Sequence, residues 1–151
     1  MVELTLEEII NRAIKTEERG KAFYISLASR TQDDEIRQMF LNLSQEEDYH
    51  ARAFKKIGSG LAGKELIIQE NAEYLNAIMQ DEVFPAEDNP PFEGGVAEAL
   101  AIGIQAEKDS ILLYQQLYET VQSEDAKQVI SKLLKAEKMH LVELRHLAED
   151  L

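Results

Sequence analysis

The sequence has no cysteine, only three prolines and little positive charge. Without cysteine this chain forms no disulfide and offers no thiolate to a metal, which excludes rubredoxin-type centres and iron–sulfur clusters on it. No N-terminal apolar run resembles a secretory signal, and no run is long enough to span a membrane; a cytoplasmic protein is the expectation. Sixteen Lys and Arg against 29 Asp and Glu leave a formal net charge of -13. Such a field repels nucleic acid and anionic membrane, so neither is expected as a partner, and it attracts cations. A solvated acidic surface accounts for most of that charge. The three prolines, Pro85, Pro90 and Pro91, fall in one stretch and break any helix there. With 151 residues the chain is expected to form one domain with a sizeable core.

What is present is helical periodicity. Leu6, Ile10, Ala13, Glu17, Gly20, Tyr24 and Leu27 recur at spacings of three and four, as a bundle core stripe does. Thr5 and Glu8 fit the start of this helix as a capping box. Thr31 to Asp34 reads as a short turn with a new N-cap, followed by the stripe Ile36, Phe40, Leu43, Glu47, His50, Phe54 and Ile57. Gly58, Ser59 and Gly60 are expected to end it. From Gly95 a third stripe runs through Val96, Leu100, Gly103, Glu107, Ser110, Tyr114, Leu117 and Val121. Ser123 caps a fourth, comprising Ala126, Ile130, Leu133, Glu137, His140, Leu144 and Leu147. Adding 90 to the first pair of stripes gives the second pair without a gap: Glu17 becomes Glu107, Tyr24 Tyr114, Glu47 Glu137, and His50 His140. A helical hairpin has been duplicated.

The expected fold is therefore all-α: a four-helix bundle of two duplicated antiparallel hairpins, 5–57 and 95–150, joined by a long crossover over 58–94. Within the crossover, Leu61 to Glu82 has weaker helical character. Its anchors Leu66, Ile67, Ile68, Tyr74, Leu75, Ile78 and Met79 are expected to be exposed and to cover a surface, either of this chain or of a partner. A homodimer with residues 61–82 at or near the interface is expected on that ground.

Six polar residues interrupt the apolar stripes: Glu17, Glu47, His50, Glu107, Glu137 and His140. Residues three apart share a helix face, so each Glu of the second and fourth helices projects with its His. Glu17 and Glu47 lie equally far from the turn near residue 32, and Glu107 and Glu137 from the turn near 122. All four carboxylates are thus expected at mid-bundle. Clustered without cations they would repel one another and take up protons; two divalent ions would balance them. Glu and His suit iron, manganese or zinc. Tyr24 and Tyr114 are buried hydroxyls in need of a partner, and a ligand carboxylate is one. Gly20 and Ser110 are read as packing residues, Met39, Met79 and Met139 as core fillers, and His146 as a rim residue.

Glu17-Glu18-Arg19-Gly20-Lys21-Ala22-Phe23-Tyr24 and Ser44-Gln45-Glu46-Glu47-Asp48-Tyr49-His50 resemble the ligand helices of the rubrerythrin and ferritin-like di-iron carboxylate proteins. The resemblance covers nearly all of the chain apart from the crossover. It implies that Glu47 and Glu137 bridge two irons, with Glu17 and His50 completing one site and Glu107 and His140 the other. It also implies oxidation of Fe(II) by dioxygen or peroxide, with electrons from a separate donor protein. Peroxide-reducing members carry a further Glu one turn after the third-helix ligand, where this chain has Ser110, and usually a rubredoxin module, for which it has no cysteine. An iron-storage protein and a non-catalytic metal-binding bundle are the other expectations.

Overall fold

A computed structural model of the chain describes residues 4–60, 69–79 and 95–150. They form five helices: α1 (Leu6–Arg30), α2 (Asp34–Gly60), α3 (Gln69–Met79), α4 (Gly95–Thr120) and α5 (Glu124–Glu149). The four long ones make the bundle. No described helix is long and apolar enough to cross a membrane.

The two hairpins begin and turn on side-chain caps. The Thr5 hydroxyl accepts from the Glu8 amide at 3.2 Å. Asp33 Oδ1 accepts from the amides of Glu35 and Ile36 at 2.9 and 3.1 Å, which starts α2. Ser123 Oγ accepts from the Ala126 amide at 3.3 Å and starts α5. Each cap satisfies amides that have no partner within the helix and contributes about 1 kcal/mol.

α2 runs to Gly60, the last of the three residues expected to end it, and Gly58 within its last turn also sits at a close approach. A Cβ there would lie 3.2 Å from Ile10 Cγ2. The reading of the crossover changes. Of the segment 61–82, α3 covers Gln69–Met79; Leu66, Ile67, Ile68 and the remainder lie outside the described residues. Leu75 is fully buried and Ile78 and Met79 pack against the same core. These three therefore cover their own bundle, helped by a bond from Arg12 Nη2 to the Met79 carbonyl at 2.7 Å. Tyr74 is exposed, as expected. Met139 was expected in the core and is exposed instead. It precedes His140 by one residue, and one residue turns a helix by about 100°.

The core is divided. One apolar cluster joins the N-terminal half of α1, the C-terminal half of α2, Ala72 and Leu75 of α3, the C-terminal half of α4 and the N-terminal half of α5. The other joins the opposite halves, with Phe23, Phe40, Leu43, Leu100 and Leu144 among its members. Burying each such large side chain contributes about 1.5–3 kcal/mol. Between the clusters, at the level of Glu17, Glu47, Glu107 and Glu137, lies a polar layer closed off from water on both sides.

Candidate metal centre

All six polar interruptions of the stripes meet in that layer, and none is more than 3% exposed. Ligand atoms of Glu17, Glu47, His50 and Glu137 lie within 4.8 Å of one another, and so do those of Glu47, Glu107, Glu137 and His140. Glu47 and Glu137 belong to both groups. The two groups thus share an edge made of one carboxylate from each hairpin.

The closest contacts among the six residues and the two tyrosines run between hairpins and repeat at the 90-residue offset. Tyr24 Oη donates to Glu107 Oε1 at 2.6 Å, and Tyr114 Oη to Glu17 Oε1 at 2.5 Å. His50 Nδ1 lies 2.9 Å from Glu137 Oε1, and His140 Nδ1 3.1 Å from Glu47 Oε1. Each Nδ1 is also 3.5 Å from the remaining carboxylate of its own hairpin, Glu17 for His50 and Glu107 for His140. The two imidazoles are nearly parallel, with centroids 5.8 Å apart. Tyr24 stacks on Phe40, and Tyr114 packs on Phe54 at 4.9 Å; these rings aim the hydroxyls into the layer.

Burial and crowding decide the charges. Burial pushes the carboxyls of Glu47 and Glu107 well above the usual range, and the charge of Glu137 adds to it. For Glu17 burial acts upward too, but hydrogen bonds with Glu47 and His50 hold it below its ordinary value. Burial would lower His50, yet its bonds to Glu137 and Glu17 raise it to about 10. His140 is raised as well, because the carboxylates around it outweigh burial. Both tyrosines are pushed well up, first by burial and then by the Glu107 charge at Tyr24 and the Glu17 charge at Tyr114. Protons therefore fill the layer in the metal-free protein, where the four carboxylates would otherwise repel.

That filling is incomplete. Among the described residues, five buried side-chain polar atoms lack a hydrogen-bond partner: Glu17 Oε2, Glu47 Oε1, Glu107 Oε2, Glu137 Oε2 and His140 Nδ1. All five belong to this layer. Buried polar groups are ordinarily satisfied, since leaving one unpaired costs about 1–3 kcal/mol. Five orphans at one place, four carboxylate oxygens and one imidazole nitrogen, are the donor set a pair of hard-to-borderline divalent ions takes.

Among the other polar residues singled out in the sequence, His146 is exposed. Ser110 is buried beside the layer. One residue of the layer's surroundings was not among the expected site residues. Glu46 Oε2 lies 2.5 Å from His140 Nε2, reaching from one hairpin to the other. That bond holds the Glu46 carboxyl below its ordinary value. The tandem Glu46-Glu47 was the available signal.

Fold and layer together define a helical bundle with a buried carboxylate–histidine cluster of metal-ligand type. The comparisons agree with that class. The rubrerythrin family profile matches residues 8–148, and the chain belongs to the rubrerythrin family. Among solved structures, a Thermotoga maritima protein described as a candidate ferritin-like diiron-carboxylate protein is similar. It has a TM-score of 0.74 and 25% identity over 99% of this chain and 97% of that one. A hypothetical protein of Pyrococcus furiosus is similar with a TM-score of 0.72 and 25% identity, over 97% of this chain and 89% of that one. A comparison with curated proteins gives no match.

Proposed function

We propose that the protein is a di-iron oxidoreductase whose Fe(II) pair is oxidised by dioxygen or hydrogen peroxide. The observation that carries this reading is the set of five orphaned ligand atoms in one water-excluded layer. Glu17 and His50 would hold one ion and Glu107 and His140 the other, with Glu47 and Glu137 shared. When bound, the pair would supply two redox equivalents. The protein's own part is to fix the ligands and to keep water out. Tyr24 and Tyr114 each hold one oxygen of a terminal carboxylate, Glu107 and Glu17, which leaves its other oxygen for an ion. The apolar clusters on both sides lower the local dielectric and strengthen every charge interaction in the layer. Electrons come from a separate donor protein.

The test is anaerobic loading with Fe(II), followed by metal analysis and optical spectra before and after addition of oxygen or of peroxide. The expected result is two irons per chain and a new near-ultraviolet absorption with at least one oxidant. Fewer than two irons refutes the paired site, and a spectrum indifferent to both oxidants refutes the redox reading. Comparing the two oxidants also tests the consequence of Ser110. Solution mass separates this reading from storage, which needs a hollow assembly of many subunits.

A further inference from the structure

The 90-residue offset carries the tyrosine–carboxylate and histidine–carboxylate contacts between the hairpins from one half to the other, but not the bond behind His140. His140 Nε2 is bonded to Glu46. The residue equivalent to Glu46 in the second hairpin is Ala136, which offers His50 no carboxylate. Among the described residues nothing bonds to His50 Nε2. His50 instead borders a cleft of about 540 Å³ between α2 and α5, lined also by Asn42, Glu46, Tyr49, Leu133 and Ala136. His140 does not border it. One imidazole is thus backed and enclosed, and the other is unbacked and faces an opening.

We infer that Glu46 makes the two metal positions unequal: the ion held by His140 and Glu107 binds more tightly, and the ion held by His50 and Glu17 is the exchangeable one. This rests on the di-metal reading of the layer. The physical reason is the partner of the distal nitrogen. Accepting from Nε2–H, the Glu46 carboxylate fixes the His140 tautomer with its Nδ1 lone pair turned into the layer, stops rotation of the ring, and makes that nitrogen a stronger base. His50 has only its Nδ1 contacts and its packing to orient it. Its side of the layer is also the one bordered by the cleft, through which an ion would arrive or depart. Glu46 touches no ion in this arrangement; it is a positioning residue that acts through His140.

The experiment is anaerobic titration of the metal-free protein with Co(II), read by calorimetry and by visible d–d absorption. Wild type should bind two ions in two separable steps. Glu46→Gln should weaken the tighter step by about ten-fold or more, the usual cost of losing such a backing group. The weaker step should stay where it was. Ala136→Glu, which supplies the missing carboxylate opposite His50, should tighten the weaker step and narrow the gap. Two indistinguishable steps in wild type, or a Glu46→Gln protein weakened equally in both, would overturn the inference while leaving the paired site standing. An Ala136→Glu protein with an unchanged weaker step would also overturn it, even if Glu46→Gln fails to fold. Binding of fewer than two ions by wild type would remove the di-metal reading itself.

Discussion

Replacing Glu47 by Gln should invert the stability order of two proteins depending on metal. Glu47 is 1% exposed and its ligand atom lies within 4.8 Å of those of Glu17, Glu107 and Glu137. At an effective dielectric of about 20, each such pair of full charges repels by about 3–4 kcal/mol. Attraction to two charged imidazoles at similar range offsets two of the three repulsions. One remains, so removing the charge stabilises the metal-free protein by at most about 4 kcal/mol with every carboxylate ionised. Proton uptake at Glu47 caps the gain, because Gln resembles the protonated acid; the gain therefore starts near zero in the ordinary carboxylate range, where the unfolded chain is protonated too, and grows as pH rises towards the raised folded value. With metal the order reverses. Glu47 is shared by both ligand groups, so its loss removes a charged ligand from each. Wild type gains about 4 kcal/mol at an ion concentration a thousand times the dissociation constant, which for a chain of this size is a rise of about 8–16 °C. Anaerobic thermal melts at pH 7 and pH 8.5, with and without Fe(II), read all four states. A metal-free Glu47→Gln protein that melts below metal-free wild type, or one that gains as much from Fe(II) as wild type does, would refute the charge argument.

Tyr114→Phe removes a fully buried hydrogen bond to Glu17 without leaving a cavity, and should cost about 2 kcal/mol in urea unfolding of the metal-free protein. Tyr24→Phe, which releases Glu107 in the same way, should cost the same within error; a difference above about 1 kcal/mol would contradict the equivalence of the two bonds. Metal-free stability should fall as pH rises from 6.5 towards 10. Over that window folded His50, raised from 6.5 to about 10, keeps a proton the unfolded chain has lost, and the raised carboxyls of Glu47 and Glu107 act in the same direction. The rise in melting temperature on adding Mn(II) should grow across the same window, since binding expels those protons; a flat response would count against proton filling of the layer. Gly103→Ala should stabilise by about 1 kcal/mol through helix propensity. The new Cβ would meet Leu144, Phe23 and Tyr24 only at ordinary contact distances of 3.4 to 3.7 Å, and Ala13 already occupies the equivalent position. Calorimetry should show a rise of about 2–4 °C.

The bundle and its polar layer were legible because two signals were redundant. Each Glu-x-x-His sits on an apolar stripe, and each Glu is as far from its turn as its partner is, so spacing alone set the height of four carboxylates. The 90-residue offset then removed the alternative of a misjudged register. Glu46 was not legible. It lies one position off its stripe, and whether such a residue meets solvent or a neighbouring helix depends on how α2 and α5 approach, which no local period encodes. The same one-residue step misled the reading of Met139, whose equivalent Tyr49 is likewise exposed. Leu75 could not be told from an interface residue, because the irregular spacing of the crossover gives no face to assign. The Gly58-Ser59-Gly60 run was legible as the end of α2, but the close approach of Ile10 to Gly58 was not, since a helix-ending glycine and a glycine at a close crossing have the same letter.

The reciprocal contacts have a consequence for symmetry. Tyr24 meets Glu107 and Tyr114 meets Glu17; His50 meets Glu137 and His140 meets Glu47. Residue i touches j while the equivalent of i touches the equivalent of j, which is the rule of an isologous contact. The chain is, in these terms, two copies of one hairpin tied end to end. Two separate copies would be bound to identity: any substitution would appear on both sides of the axis at once, and both imidazoles would be backed or neither. Tying the copies into one chain lifts that constraint. Glu46 opposite Ala136 is a difference that a symmetric pair of hairpins could not encode, and it lies beside the histidines, where a difference between the halves bears directly on what each half can hold.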